Sequence, residues 1–252
     1  MSRFLCVMLC GMAAGPVAQA HEFWIEPDRM TPSADAPLSV QVRVGERFQG
    51  DVFPFEPRAY QHAYWVGPEA VQALHTQPLS KSDLSLSAQA QGLHILAVAS
   101  FGQSLTYPTQ AEFISFAQGI GAGDVLAQQL PLVAEPDGSI GETYRRFSKT
   151  LVHFGEKQGR DRRLGLQYEW VKSDGRFTLL AHGAVAPHHP ADLFCEGRDG
   201  VVTEHRLQTD TDGQVAPDTA NAKRCLINAV FLSAPDARGH WASDWVSLFW
   251  AP

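Results

Sequence analysis

The sequence has 252 residues, a formal net charge of −7 at pH 7 and four cysteines. This length allows one large domain or two smaller ones, either with a substantial apolar core. Because the chain is acidic and has no long block of like charge, we expect no nucleic-acid partner.

The first 20 residues have the order of a secretory signal peptide. Arg3 precedes the apolar run Phe4–Met12, and small residues lead to Ala18–Ala20, which fits the A-x-A pattern of a cleavage site. The apolar run is much shorter than the roughly 20 residues that span a membrane, and no later run approaches that length. We therefore predict cleavage after Ala20, a periplasmic location and no membrane insertion of the mature chain.

Cys195 and Cys225 are the two cysteines that remain after this cleavage. Each lies in a run of strand-forming residues, and the periplasm permits disulfides, so we predict that they pair. Closing a loop of about 30 residues stabilises a fold by roughly 3 to 4 kcal/mol. Two buried free thiols are the alternative, and the lack of C-x-x-C spacing disfavours a thiolate metal site.

Residues 21–108 contain short β-forming runs separated by proline, glycine and polar clusters, which is typical of an antiparallel sheet. Leu38–Val44 alternates apolar and polar residues, the pattern of a half-buried strand, and Asp83–Ser87 alternates likewise. Gly92–Val98 is apolar nearly throughout, which indicates a strand buried on both faces. We predict a small N-terminal β-sandwich here.

Residues 109–141 have a different pattern. Phe113, Phe116 and Ile120 recur at helical spacing, and glycines interrupt the run. We predict a partly helical connection that ends at the turn Pro136–Gly138.

Strand-like runs return in residues 142–252. Several of their turns contain Asp-Gly, which supplies the positive-φ positions of tight turns. Seven short strands at this spacing are typical of an immunoglobulin-like sandwich. The whole sequence therefore predicts an all-β fold with two β-sandwich domains, immunoglobulin-like or carboxypeptidase-regulatory-like, and a short helical insert.

Five segments, in this order, resemble a known family. They are His21–Pro27, Val42–Phe48, Tyr144–Val152, Thr209–Gly213 and Trp241–Trp245. They resemble the domain of unknown function 4198 family, often described as NikM-like or as nickel/cobalt-transport accessory proteins. The resemblance implies a secreted β-sandwich protein that handles transition metals, usually without demonstrated catalysis. The match is poor around Phe101–Gln129, and Val230–Leu232 replaces a Val-His-Met type of sequence, so one ligand of the family is absent.

His21 becomes the first residue of the mature chain if cleavage follows Ala20. An N-terminal histidine can chelate through its α-amino and ring nitrogens, and a second imidazole completes a planar set suited to copper(II) or nickel(II). Because these nitrogens must be deprotonated, we expect metal affinity to fall below about pH 6. Alternatively, cleavage merely leaves a histidine at this position, and Phe23 and Trp24 anchor the first strand.

Four other histidines are candidates for the second imidazole. His188 and His189 lie between two prolines, which limits the motion of their loop; a solvated pair of loop histidines is the alternative. His94 lies in a predicted strand, where a histidine is ordinarily part of the core. His205 alternates with Leu207 along a strand and faces either solvent or a site.

No nucleophile motif, H-E-x-x-H pair or phosphate-binding glycine loop occurs in the sequence, so we predict no catalysis. We predict a periplasmic protein that binds nickel(II) or cobalt(II), or copper(II), and delivers the ion to an inner- or outer-membrane metal transporter. Two alternatives remain. One is a copper-dependent oxygenase with an N-terminal histidine brace, and the other is an envelope interaction module that binds a protein or glycan without metal.

Overall fold

The computed structural model describes residues 22–53, 55, 59–74 and 84–252. The cleavage site and His21 lie outside these residues. Within them, strands predominate and form three sheets, with two short helices in residues 110–127. The prediction of an all-β sandwich fold with a short helical insert is confirmed.

The three sheets are a central sheet and two outer sheets. The first outer sheet contains β1 (Glu22–Pro27), β2 (Leu38–Glu46), β3 (Gln49–Phe53) and β6 (Leu84–Leu86). The second outer sheet contains β10 (Tyr168–Ser173), β11 (Arg176–Ala181), β12 (Ala184–Val185) and β15 (Gln214–Val215). The central sheet has, in spatial order, β14 (Val202–Gln208), β13 (Pro190–Gly197), β16 (Ala222–Ser233), β17 (Trp241–Trp250), β9 (Ile140–Phe154), β7 (Gly92–Ser100), β4 (Tyr60–Val66) and β5 (Val71–Ala73), and β8 (Gln103–Tyr107) also pairs with β9. The helices are α1 (Gln110–Gly119) and α2 (Gly123–Ala127).

The long strand β9 joins the two halves of the chain. On one side it pairs antiparallel with β7, and on the other it pairs parallel with β17. The predicted boundary near residue 141 falls at the start of this strand, and strands from both sides of that boundary share the central sheet. This arrangement brings β1 and the C-terminal half of the chain close together.

Both faces of the central sheet are covered. In β7, Ile95 and Ala97 pack in the core shared with the second outer sheet, whereas Leu96 and Val98 pack in the core shared with the first outer sheet. Successive strand residues point to opposite faces, so a strand that is apolar at every position is buried on both sides. The prediction for Gly92–Val98 is confirmed.

The helical insert packs against the central sheet through aromatic rings. Thr109 caps α1, because its Oγ1 accepts a hydrogen bond from the backbone N–H of Glu112 at 3.2 Å. Phe113 is fully buried, and its ring centroid lies 4.7 Å from that of Trp241 on β17. These contacts fix α1 above the face of the sheet that also meets β1.

Cys195 and Cys225 form a disulfide, as predicted, with an S–S distance of 2.01 Å. They are directly opposite each other on β13 and β16. The covalent bond therefore joins two strands of the central sheet at a single rung.

A buried ion cluster attaches the loop of residues 155–167 to the central sheet. Lys149 Nζ on β9 lies 2.7 Å from a carboxylate oxygen of Asp161 and 3.6 Å from one of Glu169, and all three side chains are at most 1% exposed. The same ammonium group donates to the carbonyls of Arg162 and Trp170. All three donor positions of the ammonium group are thus used within the fold.

Candidate functional site

His94 is a core histidine, and neither ring nitrogen is available to a metal. Nδ1 donates to the carbonyl of Gly92 at 3.1 Å, and Nε2 accepts from the backbone N–H of Gln89 at 3.1 Å. The ring stacks on Trp65 with centroids 5.0 Å apart. Burial lowers the pKa of the His94 imidazole, which favours the neutral ring.

His188 and His189 lie immediately before β13, in different environments. His188 is exposed and adopts a left-handed φ of 53°. His189 is half-buried; its ring stacks on Phe231 with centroids 3.9 Å apart, and its Nε2 lies 3.1 Å from the Val230 carbonyl oxygen. Burial also lowers the pKa of His189.

The predicted histidine ligands do not come together. β7, which carries His94, is separated from β13 by three strands of the central sheet, or roughly 19 Å at the usual strand spacing. His205 is exposed on β14, and its sequence neighbours Glu204 and Arg206 face the opposite side of the sheet, where they line a cavity. His21 lies outside the described residues. In the part of the chain that the structure covers, no three His, Cys, Asp or Glu side chains are grouped as metal ligands.

A cavity of about 560 Å³ lies where β1, α1 and the central sheet meet. We call it the β1 cavity. Its walls include Glu22 at the start of β1, Phe116 of α1, Asp192 of β13, Asn228 of β16 and Trp245 of β17. Sequence segments more than 200 residues apart therefore form one site.

Backbone pairing and a serine hydroxyl place the polar groups of the β1 cavity. Asn228 is directly opposite Asp192 on one side and Ser247 on the other. Ser247 Oγ donates to the carbonyl oxygen of Phe23 at 2.7 Å. This bond fixes the start of β1 over the sheet, so that Glu22 faces the same space as Asn228.

One wall of the β1 cavity is aromatic. Phe116 stacks between Tyr107 and Trp245, with centroid distances of 5.4 Å and 6.0 Å. The Tyr107 hydroxyl donates to the buried carboxylate of Glu142 at 2.7 Å, which fixes the ring. These contacts fix the three rings as an apolar stack on one side of the cavity.

The other walls are acidic. The described residues that line the β1 cavity carry five carboxylates and two guanidinium groups, a formal excess of three negative charges. They are Glu22, Glu46, Glu112, Asp192, Glu204, Arg47 and Arg206. The two arginines form ion pairs with Asp192 and Glu204, at 2.5 Å and 3.1 Å.

Two buried oxygen atoms in the β1 cavity accept no hydrogen bond from the described residues. They are Oε2 of Glu22 and Oδ1 of Asn228. Burial raises the pKa of Glu22 to about 8, and the charges of Glu46, Asp192 and Glu204 add to this effect. Because a buried acceptor without a donor is costly, these atoms mark a place where a donor or a cation would bind favourably.

These residues fit only the oxygen part of a metal site. Nickel, cobalt and copper prefer nitrogen ligands, and the described lining of the cavity offers carboxylate, amide and hydroxyl oxygens. The nitrogen ligands would have to come from His21, which is covalently bonded to Glu22.

A family model for a domain of unknown function, DUF4198, matches residues 18–232. The chain belongs to the DUF4198 family. The match includes β1 and all the strands that line the β1 cavity except β17. A comparison with curated proteins found no match.

Two solved structures are similar to this DUF4198 protein only at a low level. The D0-D1 domain of Intimin is 8% identical, with 90% of this chain and 97% of that chain covered and a TM-score of 0.19. A tetra-tandem repeat from the extending region of a large adhesion protein is 13% identical, with 92% and 49% covered and a TM-score of 0.18. The chain thus spans about half the length of the second structure. TM-scores this low support no conclusion about function.

The residues that matter most in the β1 cavity were not predicted from the sequence. Asn228 is the one polar residue in the otherwise apolar run Cys225–Leu232. A polar residue in a strand buried on both faces was a signal that could have drawn attention to it. Asp192 and Trp245 carry no comparable local signal, because only the strand pairing brings them to the same place.

Proposed function

We propose that this DUF4198 protein is a periplasmic cation-binding protein that captures nickel(II), cobalt(II) or copper(II) through His21 and passes it to a membrane transporter. The amine and imidazole of a processed N-terminal His21 supply two nitrogen ligands. The protein binds and releases the ion without catalysing a reaction. The family's NikM-like members are the model for this role.

One observation carries the proposal: the residue bonded to His21 lies on the wall of the acidic β1 cavity. The Phe23–Ser247 hydrogen bond holds the start of β1 there, and a carboxylate oxygen of Glu22 is buried without a donor. An excess of negative charge in a concave site raises the local concentration of cations. The position therefore favours cation capture beside His21.

The test begins with the exported protein. N-terminal sequencing is expected to give His21 as the first residue, and a native mass is expected to show whether an ion is retained. Calorimetric titration with Ni²⁺, Co²⁺ and Cu²⁺ then measures binding. In the part of the chain that the structure covers, no helix has both the length and the apolarity needed to cross a membrane.

His21→Ala is expected to lower metal affinity by about 100-fold or more, because it removes the imidazole that completes the chelate. His205→Ala is the matched control, since His205 faces away from the β1 cavity. A first residue other than His21, or wild-type protein that binds none of the three ions, would refute the proposal.

A further inference from the structure

We infer that the β1 cavity binds an organic cation, a small molecule in which an ammonium group is joined to a flat apolar body. This binding needs no metal ion, and it goes beyond the function proposed above. Four observations support it: two unpaired acceptors, the charge of the walls, the aromatic stack and the volume.

The unpaired acceptors define where the ammonium group binds. Asn228 is 3% exposed and lines the cavity, and its Oδ1 accepts no hydrogen bond from any described residue. Oε2 of Glu22, which also lines the cavity, likewise accepts no hydrogen bond from any described residue. An ammonium group has three N–H donors and no acceptor, so it supplies the donor that such an oxygen lacks.

The charge of the walls selects a cation. Even with Glu22 protonated, the other four acidic side chains outnumber two guanidinium groups among the described lining residues, and both guanidinium groups already form ion pairs with Asp192 and Glu204. An organic anion would meet net repulsion. A neutral molecule of the same shape would leave the excess negative charge uncompensated.

The aromatic stack and the volume select an organic body. Trp245, Phe116 and Tyr107 form a fixed aromatic stack on one side of the cavity, which suits the apolar body of a ligand. A cavity of about 560 Å³ falls within the range of small-molecule sites. A bare ion would leave most of that volume and the whole aromatic wall unused.

Matched probes test the charge requirement. Tryptamine has an ammonium group on an indole body, and tryptophol has a hydroxyl group in its place. Both are titrated by calorimetry into metal-free protein that has been treated with a chelator. We expect tryptamine to bind at least about tenfold more tightly than tryptophol, because a hydrogen bond to a charged group is stronger than one between neutral groups. Equal affinities, or no binding of tryptamine, would overturn the inference.

Asn228 provides the structural test. Asn228→Leu is expected to weaken tryptamine binding by about tenfold or more, because it removes an acceptor. Asn221→Leu is the matched control, since Asn221 is an exposed asparagine near the opposite end of β16. Asn228→Asp adds a negative charge and is expected to strengthen tryptamine binding while leaving tryptophol unchanged. Thermal unfolding of each variant shows that it is folded.

The two proposals fail in different ways. The His21→Ala variant is expected to lose metal binding and to bind tryptamine as the wild type does. The Asn228→Leu variant is expected to lose tryptamine binding and to bind metal as the wild type does. If Asn228→Leu and Asn228→Asp both bind tryptamine as the wild type does, the ammonium group does not lie at Asn228 and the inference is wrong.

Discussion

Cys195 lies opposite Cys225 three rungs from the pair of Asp192 and Asn228, on the same ladder between β13 and β16. The disulfide therefore fixes the register that places two polar walls of the β1 cavity side by side. A slip of one residue in β13 would turn Asp192 to the opposite face of the sheet, away from Asn228.

Replacing both cysteines tests this covalent contribution. We expect Cys195→Ala/Cys225→Ala to lower the free energy of unfolding by about 3 kcal/mol, because the bond closes a loop of sequence separation 30. Urea denaturation measures the difference. Wild-type protein in excess reductant serves as the control and is expected to approach the double variant. A difference below about 1 kcal/mol would contradict the loop-closure argument.

The buried ion cluster gives a second prediction. Lys149→Met is expected to destabilise the fold by about 3 to 5 kcal/mol, because it leaves the Asp161 and Glu169 carboxylates buried beside each other without their cation. Lys223→Met is the control, since the Lys223 side chain is 62% exposed and its ion pair with Glu196 is long, at 3.7 Å. Chemical denaturation measures the loss in free energy of unfolding for both variants. Equal losses would show that the buried cluster stabilises the fold no more than the exposed ion pair does.

His94 gives a prediction about pH. Burial holds its pKa in the folded state below the ordinary value of 6.5, so the unfolded chain binds a proton first as the pH falls. The stability contributed by neutral His94 is therefore complete above about pH 6.5 and is lost on acidification below it. His94→Gln is expected to lose less stability than the wild type between pH 7.5 and pH 5.

The comparison of the two proteins isolates His94. Burial also lowers the pKa values of His153 and His189, but these groups titrate in both proteins and cancel in the difference. Unfolding midpoints in urea across this pH range provide the measurement. If the stability of the two proteins changes in parallel with pH, burial does not lower the pKa of His94.

The ion pair between Arg206 and Asp192 gives a prediction about binding. Arg206→Gln removes a positive charge from the wall of the β1 cavity and frees the Asp192 carboxylate, so tryptamine affinity is expected to rise by about two- to fivefold. The gain is expected to shrink in high salt. Arg198→Gln, an exposed change outside the β1 cavity, is the control, and a loss of affinity in Arg206→Gln would count against an ammonium ligand.

Local patterns predicted the elements of this fold better than their arrangement. The buried strand Gly92–Val98 could be predicted because it is apolar at nearly every position. The pairing of Cys195 with Cys225 could be predicted because only these two cysteines follow the expected cleavage site. The helix at Phe113 and Phe116 was indicated by spacing. The parallel pairing of β9 with β17 could not be predicted, because it joins residues about 100 positions apart and no local signal records it.

The candidate site depended still more on tertiary contacts. Of the histidines chosen from the sequence, His188 and His189 lie just before β13, and His205 lies on β14. His94 lies on β7 and uses both ring nitrogens within the core. Asn228, Asp192 and Trp245 meet only because three strands of the central sheet are adjacent. His21 stays a prediction.

The position of β17 also constrains the order in which the molecule can fold. This strand, which follows β16 and β9 along the chain, lies between them in the middle of the central sheet. Without residues 241–250, the β14–β13–β16 group and the β9–β7–β4 group have no strand between them. The central sheet is therefore continuous only once β17 has inserted, and a chain cut before Trp241 would leave β16 and β9 with unpaired edges.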